Sequence, residues 1–151
     1  RLMPRTDFNP FQATALRLPK ALQAEITELI QRKTGLGVED SPFPRAVDFW
    51  FLSACVAIAN GAAQQTGEGA QGWKFSEGIV LRDSRTRIEL MELAGIGILG
   101  DAEVVKTPEV IGNLFNDCAA LGAPVLLKTV ASGRDTPLRN LIKDLAKRAK
   151  A

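Results

Sequence analysis

The stretch that decides the fold runs from residue 41 to residue 60 and reads SPFPRAVDFWFLSACVAIAN. Apolar residues occupy most sides of a helix predicted from Arg45 to Asn60. A helix that is apolar nearly all round lies at the centre of a fold or at an interface. We therefore expect this helix to supply a buried core or an assembly face. Its candidate residues for that role are Phe49, Trp50, Phe51 and Val56.

The segment before this helix predicts an arm, a strand and another helix. Residues 1–12, which contain two prolines, are expected to form an extended arm. Ala13 to Leu18 alternate small or polar residues with apolar ones, a pattern typical of a short strand. Apolar residues recur on one stripe from Lys20 to Thr34, which indicates one amphipathic helix that ends at Gly35.

Beyond the apolar helix, the sequence predicts a loop followed by a helical part. Residues 62–78 are rich in Gly, Gln and Ala, which favours a loop. Further helices are predicted at about 85–99, from Pro108 after a capping Thr107 to Gly122, and from Pro137 onward, with a short helix or buried strand at 123–131. The expected fold is mainly α: one compact domain over residues 13–151, with five or six helices and one short N-terminal strand. Its parts are a strand-helix-helix part (13–61), the loop (62–78) and the helical part (79–151).

Missing residue types exclude several chemistries. The 151 residues include no histidine, so the chain has no Ser-His-Asp triad, Cys-His dyad or His-containing zinc site. Two cysteines, Cys55 and Cys118, are too few for a four-thiolate cluster. We therefore expect a non-enzymatic protein without a metal or cofactor. The apolar surroundings of both cysteines are typical of buried thiols in a reducing cytoplasm, and no apolar run of about 18 residues predicts a membrane span.

Two other patterns bear on nucleotide binding and catalysis. Residues 67–72 read GEGAQG and match G-x-G-x-x-G, but a helix precedes them and no helix start follows, so we expect a flexible loop. Paired carboxylates on shared helix faces are more typical of solvated surfaces; they keep an enzyme as the third hypothesis. These pairs are Glu25 with Glu28 and Glu89 with Glu92.

The net charge of +2 averages two basic chain ends around an acidic middle. Residues 1–45 carry seven basic and five acidic groups, and residues 134–151 carry six and two. Basic side chains at both ends are therefore candidate contacts to DNA phosphates, with an ordinary solvated surface as the alternative. The candidates are Arg17, Lys20, Arg32, Lys33, Arg45, Lys143, Lys147 and Arg148.

The order of strand, helix, glycine turn and helix in the first sixty residues resembles a ribbon-helix-helix module. In that module, two chains pair their strands into a ribbon that enters the major groove of DNA. The resemblance implies that Leu16 and Leu18 face the core and that Arg17 is the one clear polar side chain for reading bases. A dimeric transcriptional regulator is therefore the alternative function.

A second resemblance covers most of the chain, roughly from Leu16 to Leu145. Its segments are LRLPKAL at 16–22, SPFPRAVDF at 41–49, the apolar patterns at 88–99 and 110–121, and TPLRNLI at 136–142. These resemble small proteins encoded beside bacterial DNA phosphorothioation (Dnd-type) modification and restriction genes. The resemblance implies an accessory subunit of a phage-defence system that binds a larger nuclease or ATPase. Double-stranded DNA and a second copy of the chain are the other expected partners, and a membrane is not.

Overall fold

Six α-helices and a two-stranded sheet form the part of the chain that the computed structural model describes, residues 9–62 and 66–150. The α-helices are α1 (Gln23–Glu28), α2 (Gln31–Thr34), α3 (Ala46–Ala59), α4 (Arg85–Leu99), α5 (Pro108–Ala131) and α6 (Pro137–Lys150). The strands are β1 (Ala15–Leu18) and β2 (Trp73–Glu77), which pair antiparallel. Short 3-10 helices span Lys20–Leu22, Glu68–Gln71, Gly78–Asp83 and Ala102–Lys106. The mainly α fold class is confirmed.

Local signals placed several elements correctly. The predicted strand is present as β1, and its Leu16 and Leu18 are buried, at 0% and 1% exposure. α3 begins where the Asp48 carboxylate accepts the backbone N–H of Arg45 at 2.9 Å, which satisfies a donor at the start of the helix. Thr107 precedes α5 as expected, but its hydroxyl donates to the Val104 carbonyl at 3.1 Å and does not cap the helix.

The core is centred on the packing of α3 against α5. Phe49 and Trp50 are fully buried and Val56 is 6% exposed. The ring of Trp50 lies 5.9 Å from that of Phe115, and Phe51, which is partly buried, stacks on Phe115 at 6.2 Å. Of the two roles predicted for α3, the structure supports the core. Phe49, Trp50 and Val56 are buried within the chain and Phe51 is partly buried, so they contribute to its core, and their predicted role as an assembly face stays a prediction.

α5 continues past Gly122, the residue predicted to end it. A Cβ at Gly122 would overlap the carbonyl oxygen of Ser53, so this glycine permits a close approach of α5 to α3. Pro124 lies on an exposed turn, and the carbonyl that it leaves without a helical partner belongs to the partly buried Ala120. The separate segment predicted at 123–131 is therefore wrong: these residues are the last nine of one 24-residue helix.

The single helix predicted over residues 20–34 is also wrong. Ile30 adopts an extended conformation (φ −101°, ψ 116°) and forms an isolated parallel β-bridge with Phe43. Around it, the N–H of Phe43 donates to the Leu29 carbonyl at 3.1 Å, and the N–H of Gln31 donates to the Phe43 carbonyl at 2.8 Å. These long-range backbone bonds divide the amphipathic stretch into a 3-10 turn, α1 and α2.

The glycine-rich segment contains regular structure where a loop was predicted. It holds the 3-10 helix Glu68–Gln71 and the whole of β2, while residues 63–65 lie outside the described part. The carboxylate of Asp117 in α5, 4% exposed, accepts backbone N–H groups from Gly67 at 3.1 Å and Gly69 at 2.8 Å. The buried carboxylate of Asp117 in α5 therefore fixes the backbone of this segment at Gly67 and Gly69.

Only the last residues of the predicted N-terminal arm, residues 9–12, are described. Residues 1–8 lie outside the described part of the chain. Phe11 is fully buried, and the side-chain amide of Asn9 donates to the Gly78 carbonyl at 2.8 Å. The described end of the arm therefore packs against the core.

In length and hydropathy, α5 meets the criteria for a membrane-spanning helix. Of its most apolar window, 67% is buried inside the fold. The core helix of a globular protein satisfies the same criteria, so this is weak evidence for a membrane span.

Candidate nucleic-acid interface

The backbone bridge at Ile30 positions α2 beside the start of α3. The N–H of Arg32 donates to the Pro44 carbonyl at 3.4 Å, one residue before Arg45. The hydroxyl of Ser41 donates to the Glu28 carbonyl at 2.7 Å and fixes the other end of the turn. The long turn between the two helices is therefore held at both ends, and it brings the basic side chains of α2 close to Arg45.

A groove lies between α1, α2, the start of α3 and β2. It consists of two adjoining depressions of about 160 and 260 Å³, and we call it the basic groove. The depressions share Ile30, Lys33, Ala46 and Phe75; Gln23, Thr27, Arg32, Arg45, Val47, Trp73, Lys74, Ser76 and Val80 complete the lining. Among these residues are four basic side chains and no carboxylate. Such a lining attracts anions.

Arg32 and Lys33 carry the unbalanced charge of this groove. Both side chains are exposed, and neither forms an ion pair within residues 9–62 and 66–150. Lys74, by contrast, pairs with Glu77 at 2.9 Å on the exposed side of β2. The α2 side of the groove is therefore its most positive part.

The charge of Arg45 is balanced within the protein. Its guanidinium lies 3.2 Å from the Asp83 carboxylate and 3.8 Å from that of Asp48. Asp48 also accepts from Arg87 at 2.7 Å, and Arg87 lies 5.2 Å from the centre of the Phe51 ring. These two arginines and two aspartates neutralise one another. Arg45 therefore lines the groove but adds little net positive charge to it.

Aromatic rings form the wall of the basic groove on the β2 side. Trp73 and Phe75 are partly buried, with their ring centres 6.1 Å apart, and Phe75 continues inward to Trp50 at 6.5 Å. The inner rings anchor β2 to the core helix α3. The basic groove therefore has an aromatic wall that packs against the core on this side, and the long side chains of α2 form its other side.

Arg17 and Lys20 of the predicted set lie outside the basic groove. Arg17 stands opposite Lys74 in the β1–β2 register, and its guanidinium donates to the Gly72 carbonyl at 2.9 Å. Lys20 lines a different depression of about 460 Å³, which also contains Glu68. The structure therefore separates these two side chains from Arg32 and Lys33.

The predicted DNA contacts on α6 lie at a third location on the protein. Lys143 pairs with Asp135 at 3.0 Å, and Arg148 pairs with Asp144 at 2.8 Å and donates to the Asn60 side chain at 2.9 Å. Lys147 is exposed. Asn60 follows the end of α3, whereas the basic groove lies at its start, about 21 Å away for a helix of this length. The two basic chain ends thus do not form one surface.

Sequence reasoning missed Lys74 and the role of Asn116. Lys74 lay in the presumed loop, although its position between Trp73 and Phe75 has the alternation of a strand. Asn116 is 2% exposed; its carbonyl oxygen accepts from the Arg17 N–H and the Trp50 indole, and its amide donates to Ala15. A polar pair in the middle of an apolar helix, Asn116 with Asp117, is the signal that could have revealed this network.

Both edges of β1 are occupied in the described structure. β2 pairs with one edge, and Asn116 bonds to the backbone of Ala15 and Arg17. A ribbon between two chains would require β1 to exchange one of these partners. The ribbon-helix-helix hypothesis stays a prediction.

Comparisons with protein-family models, curated proteins and solved structures found no match to this chain. The two resemblances therefore rest on the sequence motifs that carry them.

Proposed function

We propose that this protein is a non-enzymatic accessory subunit that contacts the phosphate backbone of DNA through the basic groove. The observation that supports this proposal is that Arg32 and Lys33, which form no ion pair among the described residues, lie on a groove whose lining contains no carboxylate. Arg32 and Lys33 supply the direct phosphate contacts. Contacts to phosphates position a protein on DNA without reading its sequence, so the binding is sequence-independent.

The biological setting that we propose is a bacterial anti-phage DNA modification and restriction system. It rests on the phosphorothioation-type motifs, which imply a larger nuclease or ATPase as the partner. Purification of the tagged protein from its native host, followed by mass spectrometry, tests this part. Recovery of a nuclease or ATPase in stoichiometric amounts is expected, and recovery of the tagged chain alone would contradict it.

Fluorescence anisotropy with labelled duplex DNA across a salt series tests the groove itself. We expect the affinity of the wild-type protein to fall as salt rises, equally for duplexes of unrelated sequence. Arg32→Glu combined with Lys33→Glu should weaken binding at low salt by about tenfold or more and reduce the logarithmic salt slope by about two, because two phosphate contacts are lost.

The matched control is Lys106→Glu combined with Lys128→Glu, which changes the net charge by the same amount on exposed positions outside the basic groove. This control should bind almost as the wild type does. Equal losses in both double variants, or no binding at low salt, would overturn the groove as the DNA site. A strong preference for one duplex, abolished by Arg17→Ala, would favour the ribbon-helix-helix alternative.

A further inference from the structure

We propose that α6 of one copy of this chain docks on α4 of a second copy, in a head-to-tail contact. Leu93 of α4 and Ile142 of α6 are the two most exposed large apolar side chains in the described structure, at 65% and 55%. Leu90 and Leu145 lie beside them on the same helices, at 47% and 40%. This inference is independent of the DNA proposal.

The α4 surface offers a groove for a helix. It lies between α4 and the 3-10 helix Ala102–Lys106, with a volume of about 430 Å³. Leu93, Ile96 and Val105 contribute apolar lining, and Glu92 contributes a carboxylate that has no ion pair among the described residues. An amphipathic helix binds such a groove through apolar side chains spaced three and four residues apart.

α6 has that spacing, and its own domain covers only part of its apolar stripe. Leu138, Leu141, Ile142 and Leu145 recur at intervals of three and four residues. Leu141 is 7% exposed and packs inward, whereas Ile142 and Leu145 remain exposed. The outer half of this stripe is therefore available to a partner.

The charges of the two surfaces are complementary. α6 carries five basic residues and one acidic residue. Residues 83–109, which contain α4 and its groove, carry six carboxylates and three basic groups. Arg87 and Asp83 pair with Asp48 and Arg45, which leaves five carboxylates and two basic groups. Opposite charges around an apolar contact select this orientation and speed association.

The fold separates the two surfaces within one chain. Gly95 of α4 packs on Ile111 near the start of α5, and the side-chain amide of Asn140 in α6 donates to the Val130 carbonyl near its end. These anchor points are about 28 Å apart along a helix of this geometry. One chain therefore cannot place its own α6 on its own α4, and the contact joins different surfaces of two copies.

Sedimentation velocity over about a hundredfold range of protein concentration tests this proposal. We expect the average mass of the wild-type protein to rise with concentration and to fall again with added salt. Leu93→Lys breaks the α4 surface and Ile142→Glu breaks the α6 surface, so each variant alone should stay monomeric. Mixed together, they should form a 1:1 complex, because each contributes the surface that the other lacks.

Leu36→Lys is the matched control, since Leu36 is 52% exposed and belongs to neither the α4 groove nor the apolar stripe of α6, and it should associate as the wild type does. Thermal unfolding of all variants checks that each one is folded. A wild type that is monomeric throughout, a single variant that still dimerises, or a mixture that stays monomeric would each overturn the proposal.

Discussion

Two buried serines show how the surroundings set the contribution of one hydroxyl group. Ser41 and Ser53 are both 0% exposed. The hydroxyl of Ser41 donates to the Glu28 carbonyl and lies 2.9 Å from the Thr34 hydroxyl, whereas that of Ser53 has no partner among the described residues. The same chemical change should therefore have opposite effects at the two positions.

We expect Ser41→Ala to lower the free energy of unfolding by about 1–2 kcal/mol, because it removes a buried hydroxyl that donates to the Glu28 carbonyl. Ser53→Ala should raise the free energy of unfolding by up to about 1 kcal/mol, because it removes an unsatisfied buried group. Urea denaturation of both variants measures these changes. A loss of stability of similar size at both positions would contradict the prediction.

Cys118 makes stability depend on alkaline pH. Burial, helped by the negative charge of the nearby Asp117 carboxylate and by Cys55, raises the pKa of its thiol from 9.0 to about 11. Because the native thiol keeps its proton to a higher pH than the unfolded one, its contribution to stability is complete below about pH 9 and is lost as pH rises toward 11. The free energy of unfolding should fall across this window. Cys118→Ala should show a shallower fall, and identical slopes would contradict the assignment.

At the scale of elements, two glycines in helices allow the effect of helix packing on the free energy of unfolding to be measured. A Cβ at Gly122 in α5 would overlap the backbone of Ser53, whereas a Cβ at Gly97 in α4 would have no atom within 4 Å. Alanine is favoured over glycine in a helix by about 1 kcal/mol, so both substitutions share this gain.

Gly97→Ala should therefore raise the free energy of unfolding by up to about 1 kcal/mol. Gly122→Ala should lower it by about 1–3 kcal/mol or more, because α3 and α5 must separate. Chemical denaturation at low protein concentration gives both values. If Gly122→Ala were as stable as Gly97→Ala, the close approach of α3 and α5 would be wrong.

The residue at which a helix begins was easier to predict than whether the helix continues or breaks further along. α3, α4 and α6 begin close to their predicted positions because a cap or a proline acts on its own neighbourhood. The break at Ile30 and the continuation of α5 through Pro124 depend on Phe43 and Ser53, which are distant in sequence. A local pattern carries no information about such partners.

At the scale of the whole molecule, the proposed surfaces lie on different elements. The basic groove uses α2, the start of α3 and β2, while the self-association contact uses α4 and α6. The variant Arg32→Glu with Lys33→Glu should therefore associate normally. If both proposals hold, copies joined through α4 and α6 would repeat the basic groove along DNA, which raises the effective affinity without new contacts.

The sequence by itself determined the mainly α class, the buried character of α3, the alternation of β1 and the exclusion of histidine chemistry. These follow from composition and from periodic patterns within one segment. Only the tertiary structure decided that β1 pairs with β2, that α5 is one helix, and that Lys74 joins Arg32 and Lys33 in one groove. The physical reason is distance along the chain: these features depend on backbone pairing and helix packing between residues that lie tens of positions apart.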